Sequence, residues 1–518
     1  MANPSLFASL IGALLPKPDT VNAAGGKAYA LAPRQALAQF AATGCLNGTA
    51  YATAEDQLAQ VLGLTSSVEP TFLAKLAIHA REVGRMKDMP ALLLAILAVR
   101  DVETLKRVFA RVCDNARMVR SFVQIIRSGT VGRKSLGTAP RRLVREWMAR
   151  LSDEALLGAA VGNDPSFADL VKMVHPKPQD AGRRAFYAWL IGRPYDAAAL
   201  PAPVQAFEAW KRDRRLPVPE VPFQLLTSAP LDREAWCAIA RRSSWQTTRM
   251  HLATYVRHGV FEVEGMAGLI AARLRDADSI AKARVLPYQL LVAWQQVGPL
   301  VPAEVRDALQ DAMELAIANV PSFAGTVAVC PDVSGSMDSP VTGDRGSATS
   351  VVRCRDVAAL MAAAVLRRNP QAEVLPFSDR VNAVQLNPRD TVLTNAQALA
   401  GLPSGGTDCS LPLADLNRRR ARAELVILVS DNESWIDRSP GARGTALLRE
   451  WQAFRARNPG ARLVCLDLQP NPTVQAPDRE DILNIGGFSD EVFSTIAAFA
   501  GGRMDPDHWV GVIEQIAC

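Results

Sequence analysis

Between about residue 20 and residue 320, apolar positions recur at spacings of three and four, and period-two alternation is rare. This stretch therefore reads as helix after helix. Pro33 opens a helix that Gly44 closes. Thr53 caps a second, with Asp56 at the reciprocal capping position and Gly63 at its end, and Pro70 opens a third that Gly84 closes. Leu73, Leu76, Ala77 and Ala80 lay an apolar stripe along the third. Short amphipathic helices joined by tight turns predict a helical-repeat array, a pair of helices every 40–47 residues or so. Such arrays curve and present an inner and an outer surface to long ligands. The pattern changes near Pro321. Val327 to Cys330 is a short β-rich run, Val357 to Arg367 is helical, and Ala372 to Phe377 reads as a second strand. Leu425 to Val429 and Leu463 to Leu466 are unbroken apolar runs, as expected of strands buried on both faces. Thr445 to Arg457 is helical between them. Strand–helix alternation predicts a doubly wound α/β domain, so the chain divides into residues 1–320 and 321–518.

In a doubly wound sheet, ligands bind beyond the carboxyl ends of the strands. Three loops fall there. Asp332-Val333-Ser334-Gly335-Ser336 follows the first strand, Gly405-Gly406-Thr407-Asp408 comes next, and Asp431 follows the Leu425–Val429 strand. Two carboxylates and three hydroxyls are hard oxygen donors, and they suit Mg²⁺, which takes six oxygens and keeps several waters. Taken singly, each loop is also a plausible turn or helix cap; it is the three in order at strand ends that point to a metal. The arrangement resembles the von Willebrand factor A domain and its metal-ion-dependent adhesion site. That resemblance implies Asp332, Ser334, Ser336, Thr407 and Asp431 as ligands of a divalent cation, Mg²⁺, direct or through water. It also implies adhesion rather than chemistry, with a partner's acidic group completing the metal shell.

Composition narrows the class. Of 518 residues, 49% are hydrophobic and 21% charged, which excludes disordered and fibrous proteins. The longest apolar run, Met89 to Val99, is too short to span a bilayer, which needs about 20 residues. The apolar stretch Leu6 to Leu15 has no basic residue before it, and no secretory signal is expected. Eight cysteines stand 24 to 124 residues apart without a Cys-x-x-Cys pair, so zinc and thioredoxin spacings are absent and reduced thiols in a cytoplasm are expected. The net charge of +6 is unevenly placed: residues 1–320 carry 39 basic against 29 acidic residues, and 321–518 carry 19 against 23. Residues 101–150 alone hold 12 basic and 4 acidic. So concentrated an excess is either the footprint of a polyanion or a solvated helix face.

Gly405 to Pro412, followed by Asp431-Asn432-Glu433, resembles the A domain of the Ro autoantigen family. In the first half, Gly44 to Tyr51, Met86 to Pro90, His175-Pro176-Lys177-Pro178, Arg257 to Phe261 and Ala283 to Tyr288 resemble the TROVE module of that family. The likeness covers nearly the whole chain, with both domains in order, and is nearest the bacterial Ro-type proteins. It implies a ring of HEAT-like helical repeats followed by the A domain. It implies binding of Y-like non-coding RNA on the ring's outer surface and of single-stranded 3′ ends of misfolded or precursor RNA in its hole. The bacterial relatives imply a monomer off the membrane that hands substrates to an exoribonuclease such as polynucleotide phosphorylase, in RNA quality control or ribosomal RNA maturation.

Within that frame Arg127, Arg133, Lys134, Arg141, Arg142 and Arg145 are candidate RNA contacts, in and around a Gly129–Gly137 loop and the helix after it, with Thr138 as its cap. Arg141 and Arg145 share a face at i, i+4. The family's matching histidine is associated with Y RNA, which marks His175; Lys172 and Lys177 flank it. Arg85 and Lys87 are further candidates. Arg241 and Arg242 precede Trp245, a pairing of charge with a stacking surface, though a Trp buried at a repeat interface is the better fit.

No catalytic constellation is visible. Gly129 to Ser135 lacks the glycine spacing of a phosphate loop, Ser336 sits in no nucleophile elbow, and the five histidines form no zinc motif. The expected function is a non-catalytic RNA-binding component of a ribonucleoprotein. The alternatives are a metal-dependent adhesion scaffold with incidental RNA binding, and a metal-dependent nuclease, for which neither a general base nor a second metal cluster is seen.

Overall fold

The computed structural model describes residues 15–44, 46–162, 165–227, 230–283, 287–317, 320–344, 352–435, 443–487, 489–504 and 508–518. The stretch Leu6 to Leu15, save Leu15 itself, and residues 284–286 of the Ala283 to Tyr288 motif lie outside them. Two compact units emerge. One gathers Glu69–Leu274, Val297–Arg306 and Ile516–Cys518; the other gathers Met1–Val68, Arg275–Gln296 and Asp307–Gln515.

The first unit is helical. The helix Asp88–Arg100 is apolar all round, and Met89 through Ala98 are all buried. A helix with no polar face must be enclosed by others. The helices Pro70–Glu82, Val102–Val112 and Ala116–Ser128 enclose it. Each of the last two buries one stripe: Leu105, Val108, Phe109 and Val112 on one, Val119, Phe122, Val123 and Ile126 on the other. Phe109 and Phe122 meet edge to face at 5.3 Å. Caps set the boundaries. Asp101 accepts from the N–H of Thr104, Asn115 from Met118, and Ser166 forms a capping box with Asp169. The helix Thr138–Arg150 differs from expectation: Thr138 is its first residue, not its cap, and the cap position is Gly137 at φ 76°. Glycine suits that positive φ, and the Arg133 guanidinium folds over it into the space a Cβ would take.

The second unit contains strands β1 (Thr20–Val21), β2 (Lys27–Ala30), β3 (Val327–Pro331), β4 (Glu373–Val374), β5 (Leu425–Ser430), β6 (Arg462–Asp467), β7 (Thr473–Val474) and β8 (Ile482–Gly486). A parallel sheet runs β4-β3-β5-β6-β8. This is the flavodoxin-like doubly wound order, whose switch point lies between β3 and β5. Both strands are buried along their whole length. Trp451, Phe454, Leu413, Leu416, Leu447 and Leu448 form a core with Val426 and Leu428 of β5, and the helix Cys354–Arg368 lies on β3.

The start of the chain belongs to this unit. Residues 20–30, read as helical from sequence, form a hairpin: β1 and β2 pair antiparallel, and β2 continues onto β7 through Tyr29↔Val474 and Ala30↔Thr473. The helix Pro33–Thr43 then lies on β8. The helix Ala303–Ala316 also ties in, for Glu314 accepts from the N–H of Val392 at 2.7 Å. A single cut at residue 320 therefore does not separate the compact units: strand pairing with β7 carries the first 68 residues to the α/β side. Gly63 is likewise not a helix end, since the helix runs Ala54–Ser66. The buried Val61 and Thr65 on either side hold it helical, against glycine's intrinsic cost of about 1 kcal/mol.

Candidate metal centre and candidate RNA-binding face

The β3/β5 switch point brings the three predicted loops together. Asp332 follows β3 directly; its Oδ1 accepts from the N–H of Ser334 at 2.7 Å, and its Oδ2 accepts from the Ser430 hydroxyl at 2.5 Å. The Ser334 and Ser336 hydroxyls lie 3.3 Å apart. Gly335 N–H donates to the Gly405 carbonyl at 3.0 Å, which ties the first loop to the second. Trp435 N–H donates to the Thr407 carbonyl at 3.3 Å, which ties the second to the third. Asn471 and the backbone of Glu433 fix Asp431, through its carbonyl and its Oδ1 respectively. Asp332, Ser334, Thr407 and Asp431 are buried and Ser336 is half-buried, so Ser336 stands on the open side.

The electrostatics ask for a cation. Burial, and then the neighbouring Asp431, push Asp332 up to about 7; burial also raises Asp431, and takes Glu433 up to about 8. Asp431 Oδ2 and Glu433 Oε1 are buried without a hydrogen-bond partner. Among the described residues no Lys or Arg forms an ion pair with Asp332 or Asp431. Two adjacent buried carboxylates with no counter-charge are costly, and a hard divalent ion is the simplest group to offset them. The donor set therefore fits the ion that the sequence predicted. It is a hydroxyl-and-carboxylate set; no group of three or more His, Cys, Asp or Glu side chains is placed to hold a metal among the described residues.

Sequence reasoning missed three participants. Ser430, one residue beyond the Leu425–Val429 run, carried no signal of its own, yet its hydroxyl orients Asp332. Glu433 was seen only as part of a motif; its Oε2 accepts from the N–H of Ala24 in the β1–β2 hairpin at 3.0 Å. Tyr51 lies near enough to feel these carboxylates: burial, followed by the charge of Asp431, pushes its phenol up to about 12. A strand-end serine is a weak local signal, and the other two approaches cross hundreds of residues of chain.

In the helical unit, the predicted basic residues separate into two kinds. Arg127, Arg145, Lys172, His175 and Lys177 gather at the carboxyl end of the helix Phe167–Val174. Arg145 Nε donates to the Val174 carbonyl, and Arg127 Nη1 to Met173 Sδ at 3.0 Å. His175 ends that helix in the left-handed region at φ 50°, with its side chain exposed, and Lys172 and Lys177 are exposed beside it. Lys134, Arg141 and Arg142 are exposed too, Arg142 lying 3.6 Å from Glu146. Arg133 is different. It is half-buried and donates to the carbonyls of Ser135 at 2.9 Å and Ala98 at 3.2 Å, so it staples the loop instead of facing a ligand.

Other candidates resolve to packing. Trp245 is buried, its indole N–H donating to the Leu274 carbonyl at 3.1 Å, so it is no stacking platform. Arg242 donates to the Val218 carbonyl at 2.9 Å. Trp210 and Trp236 are buried, and His258 stacks on Trp236 at 4.5 Å. Arg85 stands at φ 57° and is half-buried, whereas Lys87 is exposed.

The flavodoxin-like strand order and the three loops at its switch point define a von Willebrand factor A domain, and residues 326–500 match the Ro60 vWA domain family. The likeness goes further along the chain. The RNA-binding protein RO60 of Deinococcus radiodurans is 25% identical over 528 aligned residues, which cover 93% of this chain and 95% of that protein. The RNA-binding protein RO60 of Caenorhabditis elegans is 23% identical over 246 residues, 45% of this chain and 37% of that protein. The crystal structure of the Deinococcus radiodurans RO (RSR) protein shares the fold with a TM-score of 0.62 at 22% identity, covering 91% of this chain and all of the other. Residues 326–500 thus belong to the Ro60 vWA domain family, and the similarity to RO60 proteins runs along nearly the whole chain.

Proposed function

We propose that this protein is a Ro-type, non-catalytic RNA-binding scaffold of a small ribonucleoprotein. What carries the reading is the gathering of Arg127, Arg145, Lys172, His175 and Lys177 at one helix end, with Lys134, Arg141 and Arg142 exposed in the same basic segment. Arginine and lysine hold the phosphate backbone, while an exposed imidazole offers stacking and hydrogen bonding to a base. The RNA is a Y-like structured non-coding RNA, and single-stranded 3′ ends of misfolded or precursor RNA are a second ligand. The protein works in the cytoplasm as a monomer, presenting those ends to an exoribonuclease such as polynucleotide phosphorylase in RNA quality control or ribosomal RNA maturation. Both relatives bear the name RNA-binding protein, which supports the ligand class. The test is sequencing of RNA that co-purifies with the wild type and with a Lys134, Arg141, Arg142, Lys172 and Lys177 alanine variant, leaving the Arg133 staple intact. One abundant structured RNA lost from a folded variant is the expected result. Equal RNA in both would sink the assignment of this face.

The A domain would hold Mg²⁺ through Asp332, Ser334, Ser336, Thr407 and Asp431. Bound there, the ion supplies an open Lewis-acidic position for an outside oxygen ligand. A second reading, adhesion to an acidic protein partner through that ion, is favoured by Trp435: it is 44% exposed, and its backbone is bonded to Thr407. Large exposed aromatic side chains are enriched at protein interfaces.

A further inference from the structure

The helical unit carries a second exposed basic cluster. The helices Ala181–Leu190 and Ala202–Arg212 bring their carboxyl ends together, for the Trp189 indole N–H donates to Glu208 Oε1 at 2.9 Å close to the end of each. Gly192, at φ 71°, turns the chain away from the first helix, and residues 192–198 are all exposed, Arg193 among them. Arg212 ends the second helix, Arg214 and Arg215 follow it, and all three are exposed. Lys211 pairs with Glu208 and Arg215 with Asp213, whereas Arg193, Arg212 and Arg214 form no ion pair among the described residues. The His175 face lies elsewhere. Arg183, in the first turn of Ala181–Leu190, donates to the Ala149 carbonyl at 2.8 Å, one turn on from Arg145, which bonds Val174. That face is therefore at the amino end of the helix, and the length of the helix, about 15 Å, separates it from the second cluster.

Cations gather at helix carboxyl ends to offset the dipole, and that alone accounts for Lys211 and Arg212. It does not account for Arg214, which lies past the helix and holds its guanidinium 3.6 Å over the centroid of the Trp210 ring. Trp210 is only 3% exposed, while Arg214 above it is exposed. One face of the planar cation thus rests on the indole and the other is turned to solvent. A guanidinium plane held in this way is a stacking platform for a base. Fixing it beforehand removes the ordering cost that a free arginine meets on binding. We propose that these paired helix ends form a second RNA site, separate from the His175 face, where Arg214 stacks on an unpaired base while Arg193 and Arg212 hold neighbouring phosphates. This rests on the RNA-binding reading above and adds to it a place for a single-stranded segment. Duplex RNA does not suit the platform, because its bases are already stacked on one another. An acidic protein segment would engage the charges and leave the platform unused.

The test uses the full-length protein with alanine at Lys134, Arg141, Arg142, Lys172 and Lys177, which silences the other face, and a short fluorescent oligouridylate followed by its anisotropy. Adding Arg214→Ala is expected to weaken binding about fivefold or more, the lower range for the loss of one stacked base. Arg214→Lys keeps the charge, covers Trp210 with its stem and serves if Arg214→Ala does not fold; it is expected to weaken binding as much, because the plane is gone. An abasic oligomer of the same length is expected to bind Arg214→Lys and its parent equally. Arg193→Ala with Arg212→Ala is expected to lower the salt slope by about 1.4, the value for two single-strand phosphate contacts. Oligouridylate binding unchanged by both Arg214 variants, with structured RNA still co-purifying with the wild type, overturns this site and leaves the proposed function standing. An equal loss on the abasic oligomer overturns the stacked base. Tighter binding of oligoglutamate than of oligouridylate, lost with Arg214→Ala, overturns RNA as the occupant in favour of an acidic protein segment. A wild type that holds neither oligouridylate nor cellular RNA overturns the RNA reading and this site with it.

Discussion

At the scale of single residues, the metal centre and the RNA-binding face each contain a side chain whose surroundings work against stability. Burial and Asp431 hold Asp332 protonated up to about pH 7, whereas an unfolded aspartate releases its proton near 4. Between those values the metal-free folded state binds more protons than the unfolded one, so stability falls as pH rises through that window. A bound cation reverses this by favouring the carboxylate. Calorimetric unfolding is therefore expected to show Mg²⁺ stabilising the protein by about 2.7 kcal/mol at pH 8, at a hundredfold excess over Kd, and by less at pH 5 at the same Mg²⁺ concentration. Asp332→Asn is expected to abolish that increment and flatten the pH dependence; an unchanged Mg²⁺ effect would remove Asp332 from the ligand set. His175 is strained in its backbone, at φ 50°. Left-handed geometry costs a side-chain-bearing residue roughly 1–2 kcal/mol. His175→Gly is accordingly expected to hold or raise the melting temperature while weakening RNA binding. Full RNA affinity in that variant would make the imidazole a bystander.

At the scale of elements, chain pattern located the helices and strands well and their functional edges less well. The apolar runs after Leu425 and Leu463 became β5 and β6, because a strand buried on both faces has no other use for an unbroken apolar stretch. The helix opened by Pro33 and the one capped by Thr445 begin as read. The hairpin at residues 20–30 was not legible, since two- and four-residue strands carry no period of their own and exist only by pairing, β2 with β7. The basic loop at 129–137 shows the same limit. Arg133 and Lys134 are adjacent and equally charged, but Gly137 has no Cβ and Arg133 folds into that space. Arg133→Ala is expected to cost about 1.5–3 kcal/mol of stability, the worth of hydrogen bonds from a charged donor, with RNA binding preserved in the folded fraction. Lys134→Ala is expected to do the reverse, and chemical denaturation paired with filter binding separates the two. A loss of RNA affinity in folded Arg133→Ala would restore it to the contact surface.

For the whole molecule, the prediction concerns charge. If Arg127, Lys134, Arg141, Arg142, Arg145, Lys172 and Lys177 track a phosphate backbone, affinity falls steeply with salt, by about 0.7 to 0.9 log unit per contact for each log unit of salt. A titration of RNA binding against salt is expected to give a slope corresponding to several contacts, and the five-residue alanine variant a visibly shallower one. A flat response in the wild type would sink phosphate tracking even if some binding survived.

What the sequence determined by itself was the local chemistry: which stretches are helical, which strands are buried, and that Asp332, Ser334, Ser336 and Asp431 follow buried strands as hard oxygen donors; Thr407, expected at a strand end too, lies instead in the loop between the helices Val392–Ala400 and Leu411–Arg418. These follow from periodicity, capping and position in an alternating pattern, all of which are short-range. Tertiary structure alone decided that Arg145 and Arg127 meet at the end of the His175 helix, that the first 68 residues join the α/β unit, and that the β1–β2 hairpin reaches Glu433. Each of those joins residues far apart in the chain through one or two hydrogen bonds or a two-residue ladder. Such contacts leave no periodic trace, because the geometry that makes them favourable exists only once both partners have been brought together by the packing of everything between them.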